Sequence, residues 1–112
     1  LIEKENEYKN AVNCIKKWSK HWLTTSASRK YAGADSMKEP AAKTLKYISS
    51  LDDSMSFKQK LESLYGFFEE SDKKERESQF MGTGFYFDLM SYIRNSYKRV
   101  ENGEPVIKNI NR

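Results

Sequence analysis

Apolar residues recur at intervals of three and four along most of the chain rather than alternating, a pattern that predicts helices. At 100° per residue, Tyr8, Ala11, Val12, Ile15, Trp18 and Trp22 share one stripe of a first helix over about residues 3–23, with both tryptophans toward the core. Lys20 and His21 complement the helix dipole in its last turn, and the small polar residues of 24–28 favour a turn over a helix interior. Pro40 suits the first turn of a second helix, about 39–51, because the N–H it lacks would have no partner there; Ala41, Leu45, Ile48 and Leu51 then share a face, and Asp52 and Asp53 end it. Ser56 with Gln59 has the form of a capping box ahead of a third helix, about 57–70, whose stripe is Phe57, Leu61, Leu64, Tyr65 and Phe68. Gly66 falls opposite that stripe, where it either permits close approach of a neighbour or costs about 1 kcal/mol relative to Ala. Residues 71–79 carry mixed charge and no apolar face, as in a loop or one solvated helical turn.

Gly82-Thr83-Gly84 breaks the pattern, and Thr83 is a candidate cap for a fourth helix, about 84–101. There Phe85, Leu89, Tyr92, Ile93, Ser96 and Val100 align. Tyr86, Met90 and Tyr97 widen the stripe to roughly 160°, as expected of a central helix. Asn102-Gly103 is a C-cap signal and Pro105 prevents continuation. Val106, Ile107 and Ile110 then either pack an extended tail on the helices or lead into another domain. The expected fold is all-α: a compact four-helix bundle-like domain with a long loop after the first helix and an extended C-terminal tail. The link from 24 to about 38 is longer than helix–helix connections usually are, at about 2–8 residues, and long loops are often functional.

Composition narrows the picture. At 112 residues there is room for one domain. Two Trp, seven Tyr and six Phe set the chain apart from disordered sequences, which are poor in aromatics. No apolar run approaches the roughly 18 residues needed to span a bilayer. A single cysteine cannot close an intramolecular disulfide and a single histidine cannot build a multi-histidine metal site, counts that fit a reducing, cytoplasmic setting. The chain opens at Leu1 without Met, as in a processed product or a piece cut from a longer protein, and the expectation is the piece.

Charge is uneven. Residues 1–50 carry a net of +5 and residues 51–112 a net of −1, giving the total of +4. Lys9, Lys16 and Lys20 fall within about 40° on the first helix. Lys17 is nearby, and Arg29, Lys30 and Tyr31 follow in the long loop. Such cations beside an aromatic suit carboxylate or phosphate recognition, Arg through its planar fork and Lys as a point charge; the same lysines also read as a solvated face beside a tryptophan core. Phe87 falls on the polar face of the fourth helix with Arg94 and Lys98, where it either packs under the tail or the 24–38 loop or anchors a partner.

Chemistry-bearing motifs are sparse. Gly82-x-Gly84 lacks the third glycine of a dinucleotide fingerprint, since Phe87 stands in its place, and lacks the Gly-Lys-Ser/Thr of a P-loop. Cys14 and His21 are seven residues apart on one helix. That separation is about 10.5 Å along the axis. A working nucleophile–base pair needs about 2.6–3.2 Å. Asp52/Asp53 and Glu69/Glu70 lie at helix ends as solvated neighbours. No acid, base or nucleophile constellation emerges, so the expectation is a non-enzymatic module without cofactor or metal.

The segment from Leu45 to Arg99, with Leu-Lys-Tyr-Ile-Ser-Ser-Leu, Leu-Glu-Ser-Leu-Tyr-Gly-Phe-Phe and Gly-Thr-Gly-Phe-Tyr-Phe-Asp-Leu-Met-Ser-Tyr-Ile-Arg, resembles helical modules of type IV secretion effectors from intracellular bacteria such as Legionella. The resemblance is one of style, in Lys/Ser/Asn-rich amphipathic helices with many Phe and Tyr, and it carries over no functional residue. It implies a domain of a larger protein delivered into the host cytosol, binding a host protein or a lipid headgroup. Together these features lead to the expectation of a protein-interaction module, met through Lys9, Lys16, Lys17, Lys20, Arg29, Lys30 and Tyr31, with Phe87 and Arg94 as further contacts. The alternative is binding of an anionic lipid or nucleic acid, in which the same cations contact phosphates.

Overall fold

The apolar stripes fold as helices wherever the computed structural model describes the chain, residues 2–24, 34–78 and 84–110. These are α1 (Lys4–Trp22), α2 (Lys38–Ser50), α3 (Phe57–Ser78) and α4 (Phe85–Glu101), with a 3₁₀ turn over Ala34–Met37 leading into α2; no strand occurs among the described residues. Tyr8 meets Tyr97 and Trp18 meets Phe85, so α1 and α4 are antiparallel. Tyr65 meets Arg94 and Phe68 meets Tyr86, which makes α3 antiparallel to α4 as well. Each helix touches the other three, so the central position expected of α4 alone is shared.

Every residue of the α4 stripe from Phe85 to Val100 is buried, and Tyr86 and Met90 join it. From α1 come Tyr8, Ala11, Val12, Ile15 and Trp22, while Trp18 is half-buried at the edge of the core. Rings link the elements: Trp18 stands 5.8 Å from Trp22 and 5.0 Å from Phe85, and Tyr47 of α2 stacks on Phe67 of α3 at 4.3 Å. Offset and edge-on aromatic pairs of this kind contribute about 0.5–1.5 kcal/mol each beyond their buried area.

The helix ends follow local chemistry. At the start of α3, the Ser56 N–H donates to Gln59 Oε1 at 2.8 Å and the Gln59 N–H donates to Ser56 Oγ at 3.1 Å. These are the reciprocal pairs of a capping box. Upstream, the Ser54 N–H donates to Asp52 Oδ1 at 2.8 Å, and that hydrogen bond holds the Asp52 carboxyl below its ordinary range. α4 ends in a Schellman turn. Gly103 takes φ +77°, its N–H donates to the Val100 carbonyl at 3.0 Å, and the Glu104 N–H donates to the Arg99 carbonyl at 2.8 Å. At the other end of α4 the backbone turns through Gly84 at φ +80°; Thr83, the expected cap, lies outside the described residues.

The tail docks on the helices as far as Ile110. Glu7 of α1 accepts the Val106 N–H at 2.9 Å, the Tyr92 hydroxyl donates to the Ile107 carbonyl at 2.6 Å, and Arg99 Nε donates to the Pro105 carbonyl at 2.7 Å, while Val106 and Ile110 are buried.

The helical pattern misleads at the end of α3. An apolar stripe that fades near residue 70 predicts a loop or a single turn over 71–79, yet the helix runs two turns further to Ser78. Its continuation has a packing face built of polar residues: Asp72 is buried and accepts Arg76 Nε at 2.9 Å one turn on, and Ser71 beside it is half-buried. The longer helix also stretches the domain, whose radius of gyration is 14.2 Å and whose extents are 43 × 26 × 23 Å. A rounder domain of this length would have a radius of gyration of about 13 Å. Twenty-two helical residues alone span about 33 Å. Gly66 is exposed, and a Cβ built on it meets nothing within 4 Å, so the close-approach explanation fails there.

Candidate interaction surface

The stripe that buries Tyr8, Val12 and Ile15 turns the remaining face of α1 to water. Lys9, Lys17 and Lys20 are exposed on it and Lys16 is half-buried. Lys9 Nζ stands 5.9 Å from the centroid of the Phe57 ring, and Lys60 Nζ stands 5.0 Å from the same ring. The half-buried Phe57 is thereby flanked by ammonium groups from two helices, and the α1 cations extend onto α3. Sequence reasoning missed Lys60; its position three residues after Phe57, on the same side of the helix, was the available signal.

The carboxylates that share α1 with these lysines are committed elsewhere. Glu5 accepts the Phe57 N–H at the start of α3, and Glu7 accepts the Val106 N–H and the Asn10 amide. The ion pairs among the described residues, Lys43 with Glu39 at 3.0 Å and Arg76 with Asp72 at 2.9 Å, lie on α2 and α3, and none reaches Lys9, Lys16, Lys17 or Lys20. The positive face of α1 is therefore uncompensated by its described neighbours.

Arg94 is exposed and oriented: Nη1 donates to the Tyr65 hydroxyl at 2.7 Å and Nη2 donates to Ser91 Oγ at 3.1 Å, with the guanidinium 5.9 Å from the Tyr65 ring centroid. Phe87 remains 48 % exposed, so the docked tail does not cover it fully; the other cover expected for it, the 24–38 loop, lies over 25–33 outside the described residues. These two residues do not join the lysines. On α1, Lys16 and Lys20 lie about 160° from Trp18, and on α4, Phe87 and Arg94 lie about 160° from Phe85 and Tyr92 respectively. Since Trp18 packs on Phe85 and Cys14 contacts Tyr92, the two sets face away from each other across the α1–α4 pair. Arg29, Lys30 and Tyr31 lie outside the described residues.

Burial is the main cause that shifts the titratable groups of the interior. The Cys14 thiol is buried, and burial outweighs its hydrogen bond with Tyr92 to push its pKa up, whereas His21 is exposed with its ring edge-on to Trp22. Burial is also the main cause that raises Tyr86, to about 12, with Glu75 and Glu39 adding repulsion, and it raises Tyr92 and Tyr97 further still. Among the described residues no group of three His, Cys, Asp or Glu side chains is placed to hold a metal ion, and no helix is long and apolar enough to cross a membrane. Compared with protein families, curated proteins and solved structures, the chain matches none.

Proposed function

We propose that the chain is a non-enzymatic protein-interaction module whose α1 lysines recognise an acidic surface on a protein partner. The observation that carries this reading is the set of Lys9, Lys16, Lys17 and Lys20 without carboxylate partners among the described residues, on a helix whose own Glu5 and Glu7 hold other segments in place. An unpaired row of one sign steers an oppositely charged partner and fixes its register. In keeping with the resemblance to type IV effector modules, the setting is a domain of a larger protein acting in the cytosol of a host cell.

The test is affinity capture from host-cell extract with the wild-type domain beside a Lys16→Glu/Lys20→Glu variant, helicity being matched by circular dichroism. The variant should lose the partners that the wild type retains; recovery of the same set by both rejects the reading. Salt separates this from recognition of phosphates on lipid or nucleic acid. Phosphate contacts weaken steeply between about 50 and 200 mM salt, while a protein interface that also packs on the half-buried Phe57 ring between Lys9 and Lys60 weakens less.

A further inference from the structure

A second surface, independent of the α1 lysines, lies on the outer face of α4. Phe87, Arg94 and Lys98 fall within about 40° of one another along about 16 Å of helix axis. The smaller Ser91 and Asn95 continue that face toward the tail. Between this face and the docked tail runs a trough of about 200 Å³, with Asp88, Ser91 and Asn95 on the helix side and Ile107, Asn109 and Ile110 on the tail side. Ile107 is 47 % exposed and Phe87 is 48 % exposed, so large apolar side chains stand uncovered on both the tail and the helix. A space of roughly 150 Å³ accepts a benzene ring, so the trough has room for one aromatic or leucine side chain.

Charge indicates what that side chain belongs to. Arg99 lines the trough, Arg94 and Lys98 are exposed on the adjoining face of α4 and Lys108 on the tail, and among the described residues none of them is in an ion pair. Among the described residues Asp88 is the one carboxylate that lines it. The Arg94 guanidinium is held in place by Tyr65 and Ser91 through two of its N–H groups. That leaves the other three of its five for a carboxylate, without the usual loss of side-chain freedom. Ser91 and Asn95, in the middle of the strip, are short enough for a second helix to approach, since interaxial distance is set by the side chains at the contact.

We propose that this face of α4 docks an acidic amphipathic helix of a protein partner, which seats one aromatic or leucine side chain in the trough beside Ile107, covers Phe87 on the adjoining face, and sets carboxylates against Arg94 and Lys98. The domain then has two recognition faces on opposite sides of the α1–α4 pair.

A displayed library of helical peptides, selected on the wild-type domain and counter-selected on a Phe87→Ser/Arg94→Glu variant, tests this. The expected consensus has Asp or Glu at helical spacing around one Phe, Trp or Leu. A synthetic peptide of that consensus should bind the wild type and lose at least tenfold in affinity on either Phe87→Ser or Arg94→Glu. Both side chains are exposed, and circular dichroism of each variant should match the wild type. Lys16→Glu/Lys20→Glu should leave the affinity within twofold, which separates this surface from the one on α1. A basic or uncharged consensus, an extended rather than helical one, no enrichment over the counter-selected variant, or a concentration-dependent dimer that Phe87→Ser dissolves, would each overturn the proposal.

Discussion

Ser19 is fully buried, and its hydroxyl has no hydrogen-bond partner among the described residues. The Tyr97 hydroxyl is in the same state at the end of a ring packed edge-on against Tyr8. A buried polar group without a partner costs about 1–3 kcal/mol, so removing it while keeping the shape should stabilise the fold. Ser19→Ala and Tyr97→Phe are each expected to raise the thermal midpoint, measured by circular dichroism or calorimetry, and a fall in either would mean that the hydroxyl is satisfied in solution. Two glycines make a matched pair at the same scale. Gly66 occupies an exposed helix interior with open space where a methyl group would stand. Gly66→Ala should therefore gain about 1 kcal/mol, or roughly 4 °C. Gly103 at φ +77° occupies the left-handed position of the Schellman turn. Gly103→Ala should lose about as much, since a Cβ is strained there even in open space.

At the scale of elements, the tail depends on side chains far from it in sequence. Glu7, near the start of α1, accepts the Val106 N–H 99 residues on, and Tyr92 donates to the Ile107 carbonyl. Glu7→Ala should therefore free the tail without melting the helices: protection of the Val106 amide in hydrogen exchange falls toward that of an exposed amide, while helicity persists. Loss of all protection together would mean that the tail and bundle unfold as one unit. This long-range latch also marks where sequence legibility ends. The stripes of α1 and α4, the capping box at Ser56 and Gln59, and the stop at Gly103 were legible because each is encoded by residues within one or two turns. The extension of α3 to Ser78 was not, because a face built of Ser71 and a buried Asp72 carries no apolar period. The lysines of α1 were legible as a face, but their separation from Phe87 and Arg94 was not, since the sides of two helices can be related only once Trp18 is known to meet Phe85. That Glu5 and Glu7 are drawn away from those lysines likewise depends on pairings across 52 and 99 residues.

For the molecule as a whole, the aromatic interior sets an upper limit on pH. Tyr86, Tyr92 and Tyr97 come from one helix, and burial disfavours the phenolate at each. Tyr86 is pushed up to about 12 and the other two further in the same direction. In the unfolded chain a tyrosine ionises near pH ~10. Above that value the unfolded state has released protons that the folded state retains, so it binds fewer, and the free energy of unfolding falls as pH rises. The contribution of these residues is fully present below pH ~10 and is lost as pH climbs through the folded values. The buried Cys14 thiol acts with the same sign from 9.0 upward, its unperturbed value. The domain should hence unfold cooperatively in alkali, with loss of helicity and the late part of the tyrosinate absorbance appearing together above pH ~10. Tyr86→Phe removes one of the ionising groups and should move that midpoint to higher pH. Complete tyrosinate absorbance with helicity intact would show that water reaches these phenols in the folded state, and an α4 so hydrated could not be the packed support that both recognition faces require.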